Sequence, residues 1–357
     1  MLTKSNDKIT LPIVGQGGYG FKSIKQVEVI RKGIELGANF IDTAESYVGS
    51  EEIVGEAIKG MRHKVIIGTK FSPQNSSYDG VIKAAERSMR KMHIKQIDLY
   101  QLHWPHPEVP IEETAKALKY LLRKEKIKNV GVCNMTISGL KKVQKTIEEK
   151  IATLQMEYNL FDRNVEDGVM KYCKNNNILF IAYSPLDKGR IFNTAQQGKI
   201  LIELAKRYNK TPSQIALNWL ANRSTVVTIP RTNSLTHLLE NIDSTSFSLT
   251  RDDANKIWYS RTKPVLVLPK NIRVSSCGEY RREAYQTIEE AKSNPLNFVP
   301  SPSALAKDVV KGKWFNPVRL VKHGKKYELV EGRVRYWAWV IAKGNVAIPS
   351  MIRENWE

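Results

Sequence analysis

Between residues 10 and 245 the chain repeats one unit, a short β-branched run followed by a longer amphipathic segment. Eight runs read as strands: Leu11–Val14, Asn39–Asp42, Val65–Thr69, Gln96–His103, Asn129–Cys133, Thr153–Tyr158, Leu179–Tyr183 and Thr225–Ile229. Several are apolar on both faces, as parallel strands covered by helices should be. The helical period shows between them. In Val81–Met92, residues Val81, Ile82, Ala85, Met89 and Met92 share a face, and Ile111–Arg123, Ser138–Glu149 and Asn164–Asn176 follow the same pattern. The seventh strand is followed by two helices, Ile200–Tyr208 and Pro212–Ala221, with Thr211 placed to cap the second. Strand starts recur every ~20–30 residues, and eight such units close into a (β/α)8 (TIM) barrel, an α/β fold, more naturally than they form an open sheet. Gly15-Gln16-Gly17-Gly18-Tyr19-Gly20 lacks the spacing of a dinucleotide fingerprint and reads as a barrel-mouth turn.

The 357 residues exceed what one barrel needs, which points to a barrel at 1–262 and a second domain at 263–357. The N-terminus has no apolar signal region, and no apolar run approaches the ~20 residues of a membrane span. Cys133, Cys173 and Cys277 are far apart and lack metal-ligand spacing, so no metal site is expected. Three reduced thiols suit a cytoplasmic protein without a membrane partner. The net charge of +20 is spread over both parts, whereas nucleic-acid binders concentrate it. A nucleic-acid partner therefore stays open but is not favoured.

Barrel active sites form at the C-terminal ends of the strands. The second strand ends at Asp42, with Tyr47 just beyond; the third ends in Gly68-Thr69-Lys70; the fourth ends in Leu102-His103-Trp104. A buried Lys70 needs a partner, and Asp42 is the natural one. Tyr47 is the expected proton donor. A free phenol holds its proton too tightly near neutrality, and an ammonium nearby stabilises the phenolate. A shift of roughly two units corresponds to ~2.7 kcal/mol. His103 would orient the group that accepts the proton, or share that proton.

These residues carry a resemblance. Asp42-Thr43-Ala44-x-x-Tyr47, Lys70 after Ile66-Ile67-Gly68-Thr69, and Asp98-Leu99-Tyr100-Gln101-Leu102-His103-Trp104-Pro105 look like the catalytic motifs of the aldo-keto reductases. Gly131-Val132-Cys133-Asn134, Gln155–Leu160, Ala182–Leu186 and Ile229-Pro230-Arg231-Thr232 follow in the family's order. The resemblance covers residues 1 to about 262. It implies a carbonyl reductase binding an extended nicotinamide cofactor without a Rossmann fold, and acting on a small-molecule carbonyl substrate. It further implies that Asn134 and Gln155 meet the carboxamide and that Tyr183 stacks on the nicotinamide. Ser184 and Leu186 would lie along the pyrophosphate, Arg231 and Thr232 would meet the adenosine 2′-phosphate, and Glu240 and Asn241 would contact the adenine side. Arg231 favours NADP. His237 stands where the family often has arginine, which keeps NAD as the alternative.

The remaining residues alternate differently. Strands are expected at Val265–Leu268, Pro317–Lys322, Tyr327–Val330 and Ile348–Ile352, and helices at Tyr280–Lys292, Ser303–Lys311 and Arg333–Lys343. Gly332 after a strand opens a helix whose first turn carries Arg333 and Arg335, a favourable arrangement for an anion. This order resembles the N-terminal domain of ParB proteins and its sulfiredoxin relatives, closely over 303–352 and loosely over 263–302. The resemblance implies a small α+β domain binding a nucleotide or phosphate, with Gly332, Arg333 and Arg335 as candidate contacts. Two expectations follow. One is carbonyl reduction, including on a phosphorylated or nucleotide-linked substrate. The other is a nucleotide- or nucleic-acid-binding protein with the barrel as scaffold or redox sensor.

Overall fold

The structure, a computed structural model, describes residues 2–21, 23–163, 165–166, 168–192, 195–260, 265–274, 285–296, 300–312 and 317–353. Cys277, the Lys263-Pro264 junction, Asn164 and residues 280–284 of the expected helix lie outside these. The chain divides into two compact units, one of residues 1–192 and 196–260, the other of the remainder.

The first unit begins with an antiparallel hairpin, β1 (Thr3–Ser5) and β2 (Thr10–Pro12). The barrel then runs β3 (Gln16–Gly17), α1 (Lys25–Glu35), β4 (Phe40–Asp42), α2 (Ser50–Ile58), β5 (Ile66–Phe71), α3 (Tyr78–Met92), β6 (Ile97–Leu102), α4 (Ile111–Arg123), β7 (Ile127–Cys133), α5 (Ile137–Ile147), β8 (Thr153–Glu157), α6 (Val169–Asn175), β9 (Leu179–Tyr183), α7 (Ala195–Tyr208), α8 (Pro212–Ala221) and β10 (Val226–Thr228). Helices α9 (Leu235–Asp243) and α10 (Arg251–Tyr259) follow. Strands β3 to β10 pair in parallel and in sequence order. The ring closes where Val14 bridges Thr228 and Gly15 N donates to Thr228 O at 2.8 Å.

Two expectations need correction here. Leu11 and Pro12 belong to the hairpin rather than the barrel, and the glycine-rich stretch itself supplies the first barrel strand. The reason is steric. A Cβ on Gly17 would sit 2.7 Å from Ile229 O, and one on Gly15 would sit 2.8 Å from the Phe40 ring. Only glycine lets this strand wedge between its neighbours, so it carries no β-branched signal.

Elsewhere the period held its meaning. α4 and α8 occupy the expected spans, and Thr211 caps α8 in a full capping box with Gln214. α6 is shorter than expected, starting after Gly168. β5 runs through Lys70 to Phe71, so Lys70 lies within the strand and not after it. Phe71, Tyr100, Leu118, Leu154, Tyr158, Phe180 and Trp219 anchor the core between strands and helices.

The second unit holds β11 (Val265–Val267), β12 (Ile272–Arg273), α11 (Ile288–Ser293), α12 (Pro302–Val310), β13 (Val318–His323), β14 (Lys326–Glu331), α13 (Arg333–Lys343) and β15 (Ile348–Arg353). Its sheet order is β11-β15-β13-β14-β12. α11 starts at Ile288, capped by Thr287, later than the expected Tyr280. Tyr336 and Trp337 of α13 pack with Leu320, Leu329 and Ile348 in this unit's own core.

Candidate active site

Three neighbouring strands and the turn after one of them deliver the site's side chains to one end of the barrel. β4 ends in Asp42 and β5 carries Lys70. β6 leads into His103, and the turn after β4 presents Tyr47. Lys70 is 0% exposed and Asp42 2%, and their charged groups meet at 2.5 Å. Lys70 Nζ also donates to Thr43 O at 2.8 Å. A lone ammonium would be neutralised by such burial, but the Asp42 ion pair overrides it and Lys70 stays charged, its pKa raised. Lys70 Nζ lies 5.2 Å from the centre of the Tyr47 ring. The Tyr47 and His103 rings meet edge to face at 5.6 Å, and Tyr19 packs against Tyr47 at 5.2 Å.

The Tyr47 phenol does not follow the expected direction. Burial raises its pKa above the ordinary value, Lys70 pulls it back, and Asp42 adds to the rise. Desolvation of a phenolate outweighs one ammonium whose charge is already shared with a carboxylate. Tyr47 is therefore fully protonated near neutrality. His103 is driven the other way, to about 3, by burial first and by the Lys70 charge second. It is a neutral imidazole, with Ser46 Oγ 3.4 Å from its Nδ1.

The residues expected at the nicotinamide end come together. Asn134, in a left-handed conformation at φ 53°, donates from Nδ2 to His103 O at 3.1 Å and accepts the Tyr183 hydroxyl at 3.0 Å. Gln155 donates to Asp42 Oδ1 at 2.8 Å, which leaves its carbonyl oxygen as an acceptor. Ser184 is also left-handed, at φ 47°, and its carbonyl receives Asn159 Nδ2 at 3.1 Å and the Asp187 amide at 2.9 Å. Leu186 packs against the core beside it. Further round the rim, exposed Arg231 lies close to Gly20, where a Cβ would come within 3.6 Å of its Nη2. Thr232 Oγ1 accepts the Ser234 amide at 3.0 Å, and Ser234 caps α9. Asn241 is buried on the inner side of α9, Glu240 is half-buried and His237 is exposed. In the second unit, Gly332, at φ 92°, caps α13, and Arg335 Nη1 donates to Pro317 O at 3.0 Å. Arg333 Nε and Nη2 are buried without a hydrogen-bond partner among the described residues.

Two residues at this site carry no expectation from the chain read alone. Glu45 accepts the Ser72 amide and Asn75 Nδ2, both at 2.6 Å, and pairs with Arg87 at 3.1 Å. It thereby ties the Tyr47 turn to the segment after β5. Gln101, wholly buried on β6, donates to Asp42 Oδ1 at 3.2 Å. Its signal was present as a lone amide inside the apolar run around Tyr100 and Leu102.

Comparison with known proteins identifies the family of the barrel. The model of the aldo/keto reductase family matches residues 14–259. Methylglyoxal reductase YeaE of Escherichia coli (strain K12) is 34% identical over 250 residues, covering 68% of this chain and 87% of that protein. Glyoxal reductase of Bacillus subtilis (strain 168) is 30% identical over 258 residues, covering 71% and 90%. A crystal structure of an aldo/keto reductase from Klebsiella pneumoniae in complex with NADP and acetate is 29% identical, with a TM-score of 0.67, covering 72% of this chain and 94% of that one. The chain, through its barrel, belongs to the aldo/keto reductase family.

Proposed function

We propose that the barrel reduces a small carbonyl compound to the alcohol at the expense of NADPH, with Tyr47 as the proton donor. The observation that carries this is the buried Asp42–Lys70 pair set beside a protonated Tyr47 and a neutral His103. The cofactor assignment rests on the donor set. Arg231 and Thr232 lie in the segment leading into α9, whose first-turn backbone N–H groups together with a guanidinium suit a phosphate. Asn134, Gln155 and Tyr183 would hold the nicotinamide end, Ser184 and Leu186 the pyrophosphate, and Glu240 and Asn241 the adenine side. NADPH, when bound, supplies the hydride.

The chain's own residues handle the proton and the orientation. His103, neutral, donates a hydrogen bond to the carbonyl oxygen without competing as an acid. Tyr47 passes its proton to the oxygen as charge builds there. Lys70 stabilises the phenolate left behind, and Asp42 keeps Lys70 charged and aimed inward. Tyr19 and Trp104, both exposed at the rim, offer aromatic walls for a small substrate. The relatives named for methylglyoxal and glyoxal make short dicarbonyls the first substrates to test. NADPH absorbance should fall on adding methylglyoxal or glyoxal, and Tyr47→Phe should still quench cofactor fluorescence while losing turnover by about 100-fold or more. Full turnover in Tyr47→Phe would dismiss the assignment.

For the second unit we propose phosphate or nucleotide binding at the start of α13, as the ParB and sulfiredoxin-type resemblance implies. The buried Arg333 nitrogens, without a hydrogen-bond partner among the described residues, support it. Titration with inorganic phosphate and nucleotides, followed by amide shifts at Gly332 to Arg335, tests it; shifts absent at millimolar ligand would remove it. Turnover of paired phosphorylated and plain carbonyls by the full-length protein tests the phosphorylated-substrate reading; a higher kcat/KM for the phosphorylated one is the expected result. The competing nucleic-acid reading requires DNA binding that weakens steeply with salt.

A further inference from the structure

Asp42 divides its two oxygens. Oδ2 pairs with Lys70, and Oδ1 accepts two side-chain amides, from Gln155 at 2.8 Å and from Gln101 at 3.2 Å. Gln101 lies directly beside Lys70 in the β5–β6 register. Its amide cannot turn over freely. Its Oε1 receives the Thr153 hydroxyl at 3.3 Å and the Cys133 thiol at 3.9 Å, so inversion would set a carbonyl against a carboxylate and lose both donors. The room for this arrangement comes from Gly131, its neighbour on β7. A Cβ there would sit 2.3 Å from Thr153 Oγ1 and 2.9 Å from Gln101 Cγ. A buried side chain is thus oriented by three strands to place one N–H against the carboxylate behind the proton donor.

We propose that Gln101 is a positioning residue for the reaction: its amide, fixed by Thr153 and Cys133, orients Asp42 and partly offsets its charge, and so sets how readily Tyr47 releases its proton. The inference rests on the carbonyl-reduction reading above. The groups acting on Tyr47 are Lys70 from β5, Asp42 from β4, Cys133 from β7 and Tyr19 from the turn after β3, with His103 in ring contact after β6. Lys70 favours the phenolate and Asp42 opposes it. An N–H directed at Asp42 weakens the opposition, and removing it strengthens it.

The test uses the full-length protein with NADP(H). Gln101→Met keeps the length and removes the donor; Thr153→Val leaves Gln101 in place and frees its amide to invert. Two readouts are taken: the basic limb of kcat for reduction, and the midpoint of the Tyr47 signal in carbon-13 NMR of tyrosine-labelled protein with NADP+ bound, assigned against Tyr47→Phe. Gln101→Met should move both upward by about 0.5–1 pH unit and lower kcat by about 5–20-fold, with cofactor Kd within about twofold. Thr153→Val should move them the same way by less. Should Gln101→Met not fold, Thr153→Val alone carries the test. Unmoved limb and midpoint in the folded variant would overturn the proposal. A parent protein with no turnover on any carbonyl but a shifted Tyr47 midpoint in Gln101→Met would overturn the carbonyl-reduction reading and leave the coupling standing.

Discussion

Replacing Lys70 by Met separates what the buried ion pair does for chemistry from what it does for stability. Lys70 Nζ sits 5.2 Å from the Tyr47 ring centre. With an effective dielectric of about 20, a unit charge at that distance stabilises a phenolate by about 3 kcal/mol, or about two pKa units. Tyr47 already lies above an ordinary phenol because of burial, so the variant should push it further up and slow reduction by about 100-fold or more. Stability should fall too, since Asp42 becomes a buried carboxylate without its cation. Removing one partner of a buried pair costs about 3–5 kcal/mol. The amides of Gln101 and Gln155 still bond Asp42, so the lower end is expected. The double variant Lys70→Met with Asp42→Asn removes the orphaned charge and should recover most of the stability while turnover stays lost. Urea denaturation gives the first quantity, and NADPH absorbance with saturating dicarbonyl the second. A Lys70→Met protein that keeps kcat within tenfold would refute the assigned role of the ammonium. A double variant no more stable than the single would refute the account of Asp42.

Other outcomes follow from the same geometry. The imidazole of His103 takes up a proton near pH 6.5 when unfolded but only at about 3 when folded. Between those values the unfolded chain binds more protons, so stability declines as pH falls through that window; urea midpoints at pH 7 and pH 5, compared with those of His103→Gln, measure it. For the same reason kcat should show no acid limb between pH 6 and 7. Arg231→Ala should raise the KM for NADPH by about 10–100-fold and leave that for NADH nearly unchanged; equal losses for both cofactors would contradict the phosphate assignment. Asp98, 6% exposed, accepts the Ile67 amide at 2.9 Å and pairs with Arg62 at 2.7 Å and Lys128 at 2.8 Å. Asp98→Ala should cost about 2–3 kcal/mol by orphaning that amide, seen as a lower urea midpoint, with kcat retained in the folded protein.

The barrel could be read from the chain because its signal is local. Alternating β-branched runs and helical faces report which side of each element is buried, and α4, α8 and β9 fall where that period puts them. Asp42, Lys70 and His103 were likewise visible as polar residues at the ends of apolar strands. The first barrel strand was not, because Gly15-Gln16-Gly17 is shaped by close approach of Gly15 to Phe40 and of Gly17 to Ile229, residues from other parts of the chain. The direction of the Tyr47 shift was not visible either. A motif shows that an ammonium is near a phenol, but burial depends on what Tyr19, His103 and the neighbouring strands exclude. The Gln101–Asp42–Gln155 amide cluster is the clearest case. Its members stand on β4, β6 and β8, and their order in sequence says nothing of their meeting. Residue types along the chain set which chemistry was available. Barrel closure brought the distant strands within hydrogen-bonding distance, and burial set the proton affinities, because desolvation and orientation belong to the packed volume and not to any local stretch.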